Sequence, residues 1–386
     1  MTLNLIDQEI IDIFFKFYKK DFKKADEDLQ KNLNKKIAEN IAKIENDEDS
    51  KIMILQTFSD YSFSFFHVVA KFGLSEDLKK IIYLIGLKNL EQVDINKYTA
   101  LHHASISGNI ENVKVLIGYG ANIYAKSSDE TRNWLPIHYA CKFGFKNIVE
   151  EFINSGIDKE VKTSFGLTPI HIACEFGYPD LVKYLVQIGC DTNCETSSEN
   201  HRLTPLHYAI IINSSDTVDV LFKAGADIHK KNIYGDNALI LATKRNYSKI
   251  VKNLINFGVV EDIDVALEIA TVANCLDSLE IIKMYIEIRD KLFDKSNLII
   301  LYKEINLFTN QVNSNNLDDL FINIFDIKIS PYFLNNITKK IGVFRKSDNN
   351  LEKFASDNGL IELAKELSKL NEIITHKKLS SKLKFS

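Results

Sequence analysis

A short phrase returns along this chain at nearly constant intervals, and no other property restricts its fold so tightly. TALHHASISG from Thr99, LPIHYACKFG from Leu135, TPIHIACEFG from Thr168 and TPLHYAIIIN from Thr204 share one pattern. SFFHVVAKFG places His67 in the slot of His102, His138, His171 and His207, and NALILATKRN puts Ile240 there, giving intervals of 35, 36, 33, 36 and 33 residues. A period of this size means that one supersecondary unit is stacked, each copy burying its apolar face against the next.

Each letter of the phrase has a local task. Thr168 and Thr204 suit a helix N-cap, where a hydroxyl accepts from an otherwise unpaired amide, and Pro169 and Pro205 suit the first helical position. Ala104, Ala140, Ala173, Ala209 and Ala242 let neighbouring helices approach closely. Six residues after each slot stand Gly73, Gly108, Gly144, Gly177, Asn213 and Asn246, the residue types that best tolerate the left-handed conformation ending a helix. A second helix follows in each unit, its apolar residues recurring at i, i+3 and i+4: Val113, Leu116 and Ile117; Val149, Phe152 and Ile153; Val182, Leu185 and Val186. GYGAN, NSGID, QIGCD and KAGAD then supply a glycine stop and an extended connection to the next phrase.

This phrase resembles the signature of the ankyrin repeat family, Thr-Pro-Leu-His-x-Ala in a unit of about 33 residues made of a turn and two antiparallel helices. The resemblance implies an all-α solenoid with short β-hairpin turns, extended by helical segments at both ends. It covers residues 61–263, as repeats at 61–92, 96–125, 132–161, 165–194, 201–230 and 234–263. Gly166 and Gly235 match the glycine expected in the hairpin, whereas Lys97, Asn133 and Arg202 replace it and predict looser turns. Surplus residues fall in the connections Ser127–Trp134 and Ser197–Leu203. Residues 264–288 read as a degenerate helix pair without its finger, with Ala270, Asn274, Leu279 and Ile282 in register.

Outside the repeats, Leu29, Leu33, Ile37, Ile41 and Ile44 form an amphipathic stripe, so residues 1–60 read as a helical cap over an exposed repeat end. Residues 289–386 read as helical, with Ala355 and Gly359 at repeat spacing and a basic tail carrying Lys377, Lys378, Lys382 and Lys384. The composition, 45% hydrophobic and 26% charged with five prolines, suits a folded, helix-rich protein. A net charge of −4 lacks the basic footprint of nucleic-acid binding. No run of about 18 apolar residues predicts a transmembrane helix. Five cysteines without a CxxC pair point to a reducing compartment, the cytoplasm.

Chemistry finds little support in the sequence. The histidines occupy one structural slot per repeat, which in the ankyrin family bonds to its own turn, and HxxxH and CxxC ligand spacings are absent. Cys190, Cys194 and His201 are the one conceivable ligand set, with no fourth member. The expectation is therefore no catalytic residue, metal or cofactor. A binding surface is better posed. The resemblance implies a concave strip built from the exposed ends of first helices, here including Phe72, Ile106, Lys142, Phe143, Glu175, Phe176, Ile211, Lys244 and Arg245. Trp134, beside a lengthened hairpin, joins them as a candidate hot spot.

The reading is a noncatalytic scaffold or adaptor whose concave surface captures a protein partner. The Ile, Lys and Asn bias, the repeats and the basic tail also look like ankyrin proteins of AT-rich intracellular bacteria, which implies delivery into a host cell as the alternative. An enzyme with its chemistry in residues 289–386 is the remaining rival.

Overall fold

A computed structural model describes residues 27–45, 57–58, 63–128, 133–257 and 262–293. The chain divides into two compact units, Met1–Asn237 and Ala238–Ser386.

In the first unit, α1 (Glu27–Glu45) turns Leu33, Ile37, Ile41 and Ile44 inward, each at most 1% exposed. It packs on α2 (Phe65–Phe72) and α3 (Ser75–Ile85), and Gln30 Nε2 donates to the carbonyl of Phe72 at 2.8 Å. This helix covers the apolar face that a first repeat would otherwise leave open. The rest of the proposed cap lies outside the described residues, apart from Thr57–Phe58 (β1), which pairs antiparallel with Phe63–Ser64 (β2) ahead of α2.

Four further helix pairs follow: α4 (Ala100–Ser107) and α5 (Ile110–Gly118), α6 (Pro136–Lys142) and α7 (Lys146–Asn154), α8 (Pro169–Glu175) and α9 (Pro179–Gln187), α10 (Pro205–Ile211) and α11 (Ser215–Lys223). First helices pack on first helices and second on second, so the unit is two parallel rows. Ala104, Ala140, Ala173 and Ala209 are fully buried in the first row, and Val113, Leu116, Val149, Phe152, Val182 and Leu185 fill the second.

Helix ends follow the glycine and asparagine slots with one exception. Gly108, Gly144, Gly177, Asn213 and Asn246 all have φ between 53° and 78°. A Cβ at Gly108 would lie 2.7 Å from the Phe145 ring, and one at Gly144 2.7 Å from that of Tyr178, so close approach reinforces the choice. Gly73 instead ends α2 in extended conformation, φ −72°, and Asn112 of the next repeat supplies the cap. Its amide donates to the carbonyls of Val69, Ala70 and Gly73 at 3.2, 3.0 and 2.9 Å. Gly73 N–H also bonds Val69 O at 2.8 Å and Asn109 Nδ2 bonds Gly73 O at 3.2 Å, so side chains of the next repeat supply donors to the last carbonyls that a left-handed terminator would have satisfied.

The residues that replace the turn glycine take the same left-handed backbone as glycine does. Lys97, Asn133 and Arg202 adopt φ of 58°, 50° and 52°, beside 78° and 79° at Gly166 and Gly235. Bonds across the turn impose this conformation: Lys97 N–H donates to the Asp94 carbonyl at 2.9 Å, as Gly166 N–H does to Thr163 at 3.0 Å. Fingers also bond to one another, Ser128 N–H to Asn96 O, Ser197 N–H to Phe165 O and Ile233 N–H to His201 O.

The second unit contains α12 (Ala238–Lys244), α13 (Ser248–Asn256), α14 (Ile263–Val272) and α15 (Leu276–Phe293). Here α12 packs on α14 and α13 on α15, with Ala242, Ala266, Ala270 and Ile282 buried. The boundary between units falls inside the span that the sequence reads as one run of six repeats. Residues 294–386, including Ala355, Gly359 and the basic tail, lie outside the described residues.

Candidate functional site

The slot histidines form a ladder that consumes both nitrogens of each ring. In α4, Thr99 N–H donates to His102 Nδ1 at 3.1 Å and the Thr99 hydroxyl lies 3.0 Å from the same nitrogen. With Nδ1 accepting, Nε2 carries the hydrogen, and it donates across the repeat boundary to Trp134 O at 3.2 Å. The arrangement recurs at His67 to Gln92 O, His138 to Val161 O, His171 to Leu203 O and His207 to Asp236 O. Burial opposes protonation of every ring: His67 and His102 fall to about 3, His138 and His171 to about 4, and His207 is also lowered. Such rings are mortar between repeats and have no free nitrogen for acid–base work. The sixth phrase has Ile240 in the slot, so the ladder stops at Asp236, next to the boundary between units.

Beside the ladder, His103 Nε2 meets Asp94 Oδ2 at 3.0 Å in a buried pair. Burial lowers His103; burial also works to raise Asp94, but the bond and charge of His103 together with the Tyr98 amide outweigh it and hold the carboxyl low. Asp94 Oδ1 also accepts from the amides of Asn96 and Tyr98, so the pair braces the first finger.

The ligand set conceived from Cys190, Cys194 and His201 does not assemble. Cys194 Sγ lies 3.6 Å from His171 Nδ1, whereas His201 Nδ1 bonds to Tyr234 Oη at 3.1 Å. Burial pushes the Cys190 thiol up to about 12 and that of Cys194 up to about 11, and it also raises Cys141 and Cys174. Protonated thiols are poor nucleophiles and poor ligands. Among the described residues no group of three His, Cys, Asp or Glu side chains is placed to hold a metal ion.

The first-helix strip is where surface remains. Phe176 is 38% exposed and Ile212, one slot further on, is 37% exposed. Ile106, Lys142, Phe143, Glu175 and Ile211 are half-buried. Lys142 Nζ sits 5.6 Å from the Phe143 ring centre and 5.8 Å from those of Phe176 and Trp134. Lys244 and Arg245 are exposed but belong to the second unit.

Two candidates leave the strip. Trp134 is only 3% exposed because its ring packs on Tyr139 and His138, at 5.2 and 6.2 Å, while its carbonyl takes bonds from His102 and from Ser127 N–H. It pins the lengthened connection and cannot be a contact hot spot. Phe72 is 7% exposed, closing α2 where Gln30 of α1 bonds its carbonyl. Lys71 beside it is also buried, and burial lowers it to about 8. Sequence reasoning missed the exposed finger residues Ile233 and Tyr234, 47% and 64% exposed, whose signal was an apolar pair directly before the turn glycine Gly235.

Two rows of short antiparallel helices, left-handed stops and a Thr/His-capped first helix define an ankyrin stack, and a family model described as ankyrin repeats (3 copies) matches residues 66–163 and 137–232. Residues 66–232 are thus ankyrin repeats. Protein phosphatase 1 regulatory subunit 27 of Homo sapiens is 41% identical over 92 residues, 23% of this chain and 58% of its own length. The same subunit of Mus musculus is 38% identical over 78 residues, 20% of this chain and 49% of its own. Palmitoyltransferase ZDHHC17 of Homo sapiens is 30% identical over 227 residues, 50% of this chain and 35% of its own. The chain therefore spans between about half and three fifths of the two regulatory subunits it resembles.

Proposed function

We propose that the first unit captures another protein along the strip formed by Ile106, Lys142, Phe143, Phe176, Ile211 and Ile212, and that the chain acts as a noncatalytic scaffold or adaptor. The observation that carries this reading is the division of labour within α4, α6, α8 and α10. Their histidine and alanine are buried in repeat-to-repeat contacts, while their last residues stay half-buried or exposed and keep apolar and charged surface. Apolar side chains rimmed by charge on a preformed face are the ordinary material of protein interfaces. Similarity to a regulatory subunit of a phosphatase, a protein named for acting on another, supports the same reading. The palmitoyltransferase relative bears an enzyme's name, but burial holds Cys141, Cys174, Cys190 and Cys194 protonated, which favours binding over thiol chemistry at these residues.

Proximity labelling with the whole chain tests it, comparing wild type with a Phe176→Ala/Ile212→Ala double variant and with Lys183→Ala on the second-helix row. Proteins labelled by wild type and Lys183→Ala but lost from the double variant, at unchanged melting temperature, are the expected result. The same set labelled by all three would remove the strip from the proposal. Action inside a host cell is the alternative destination for the same surface, motivated by Lys377, Lys378, Lys382 and Lys384. A translocation reporter fused upstream of residue 1, with and without residues 376–386, decides it; a signal that does not depend on the tail sinks the delivery role.

A further inference from the structure

We propose that Lys142 is the anchor of this strip and that it takes one carboxylate, from an Asp or Glu flanked by apolar residues in the partner protein. The proposal rests on reading the strip as a binding face and goes further by naming the chemistry it selects. Its first support is the position of the charge. The ammonium lies within 5.8 Å of the centres of three rings, from Trp134 on the connection, Phe143 at the end of its own helix and Phe176 one repeat on. Cation–π attraction from three sides confines a side chain that otherwise roams over many rotamers. Much of the ordering that a partner would have to impose is therefore already done.

The second support is that this charge has no counter-ion among the described residues. Some lysines of the unit pair with acids, among them Lys146 with Glu150 at 3.5 Å and Lys230 with Glu195 at 2.9 Å. Lys142 forms no ion pair with any described carboxylate, and its contacts are the three rings. Aromatic faces offset part of the lost hydration of a half-buried ammonium but supply no formal negative charge. A carboxylate arriving in this apolar frame would gain a charge-assisted hydrogen bond at lower dielectric than bulk water.

The third support restricts the number of acids to one. In the equivalent slot, the repeat before carries Ile106, the repeat after carries Glu175 and the next Ile211. Lys71, two repeats back, is buried. Within the first unit the strip is thus a single positive position bordered by apolar groups and one negative charge. A run of acids or a nucleic-acid backbone would meet Glu175, about one helix spacing away at 8–10 Å; a lone carboxylate seated on Lys142 would not. Phe176 and Ile212 supply the apolar contacts beside it.

The test is selection of a random-peptide phage library on the whole chain. Wild type should enrich peptides with one Asp or Glu between apolar residues, and changing that acid to its amide should weaken binding roughly tenfold. Lys142→Gln should bind the acid and amide peptides equally, Lys142→Arg should retain the preference, and Lys142→Glu should enrich Lys or Arg in the acid's place. Thermal melts of each variant exclude loss of fold as the cause. Peptides that are lost with Phe176→Ala but indifferent to Lys142→Gln and to the amide change would overturn the anchor while sparing the strip. Peptides indifferent to Phe176→Ala as well would overturn both. Displacement of the selected peptides by an oligonucleotide at lower concentration than by free acidic peptide would also refute the single-carboxylate assignment.

Discussion

Acid should loosen the first unit well before its carboxylates titrate, because the histidine ladder is built from rings that must stay neutral. His67, His102, His138, His171 and His207 each accept a backbone N–H at Nδ1, so a proton there would remove an acceptor and face a donor. Burial holds His67 and His102 at about 3 and His138 and His171 at about 4, and it lowers His207 below its ordinary value. The unfolded chain therefore binds protons first as pH falls. Stability is complete above about 6.5, declines as pH falls through that value, and goes on declining toward pH 4. Between pH 7.5 and 6.0 each histidine of unfolded value near 6.5 and folded value near 3 or 4 costs about 0.8 kcal/mol, and the four such rings cost about 3 kcal/mol. Because these folded values sit far below this interval, the sum depends on the unfolded value alone. His207 and His103, both lowered by burial, add to it in the same direction. A loss of about 3 kcal/mol is a large part of the 5–15 kcal/mol available to a typical domain. Urea unfolding of the whole chain, followed by circular dichroism at several pH values, reads this directly. His171→Gln should lower proton uptake on unfolding by about one. An unfolding free energy that stays flat within about 1 kcal/mol from pH 7.5 to 6.0 would refute the ladder as a set of obligately neutral rings.

Three further outcomes follow from particular contacts. Asn112→Ala should destabilise the first unit by about 1–3 kcal/mol in urea titration, since it takes the amide donor from the Ala70 carbonyl and one of two donors from those of Val69 and Gly73; a change under about 0.5 kcal/mol would mean that water replaces the cap. Lys97→Gly should stabilise by about 0.5–1 kcal/mol, the relief of a left-handed non-glycine residue less the entropy of glycine, and a lower melting temperature would contradict the turn geometry. Trp134→Ala should lower unfolding free energy by about 3–5 kcal/mol, as buried aromatic truncations do; normal stability with weakened partner binding would return it to the surface.

The residues that the sequence made legible are those whose task repeats. A histidine, an alanine and a glycine or asparagine in a fixed slot report the same local geometry in every repeat, so α4 through α11 and the positive φ at Gly108, Gly144, Gly177 and Asn213 could be read from the phrase. The failures come where one repeat differs from its neighbours. Gly73 carries the terminator residue without the terminator conformation because Asn112 caps the helix from outside, and its slot gave no clear warning, since it holds Asp77 and Thr217 as well as Ile148, Leu181 and Ile250 in other second helices. Lys97, Asn133 and Arg202 predicted loose turns on side-chain preference, but at Lys97 and Arg202 bonds to Asp94 O and Ser197 O decide the backbone and override the preference.

Exposure was the harder quantity, for a physical reason that the strip illustrates. Phe72, Phe143 and Phe176 share one slot, yet the first is 7% exposed and the last 38%. The repeat dictates the direction in which that side chain leaves its helix; what covers it depends on the neighbouring copies and, at the first repeat, on α1. Trp134 shows the same limit on a connection, where no periodic position says whether the indole turns toward His138 and Tyr139 or toward solvent. Binding specificity in a stacked protein is written in such non-repeating residues, since those that repeat are already spent on holding one unit to the next. Lys142 follows from this: within the first unit its slot holds a buried lysine, an isoleucine, a glutamate and another isoleucine in the other copies, so the fold does not demand a cation there and its enclosure by three rings calls for a reason outside the fold.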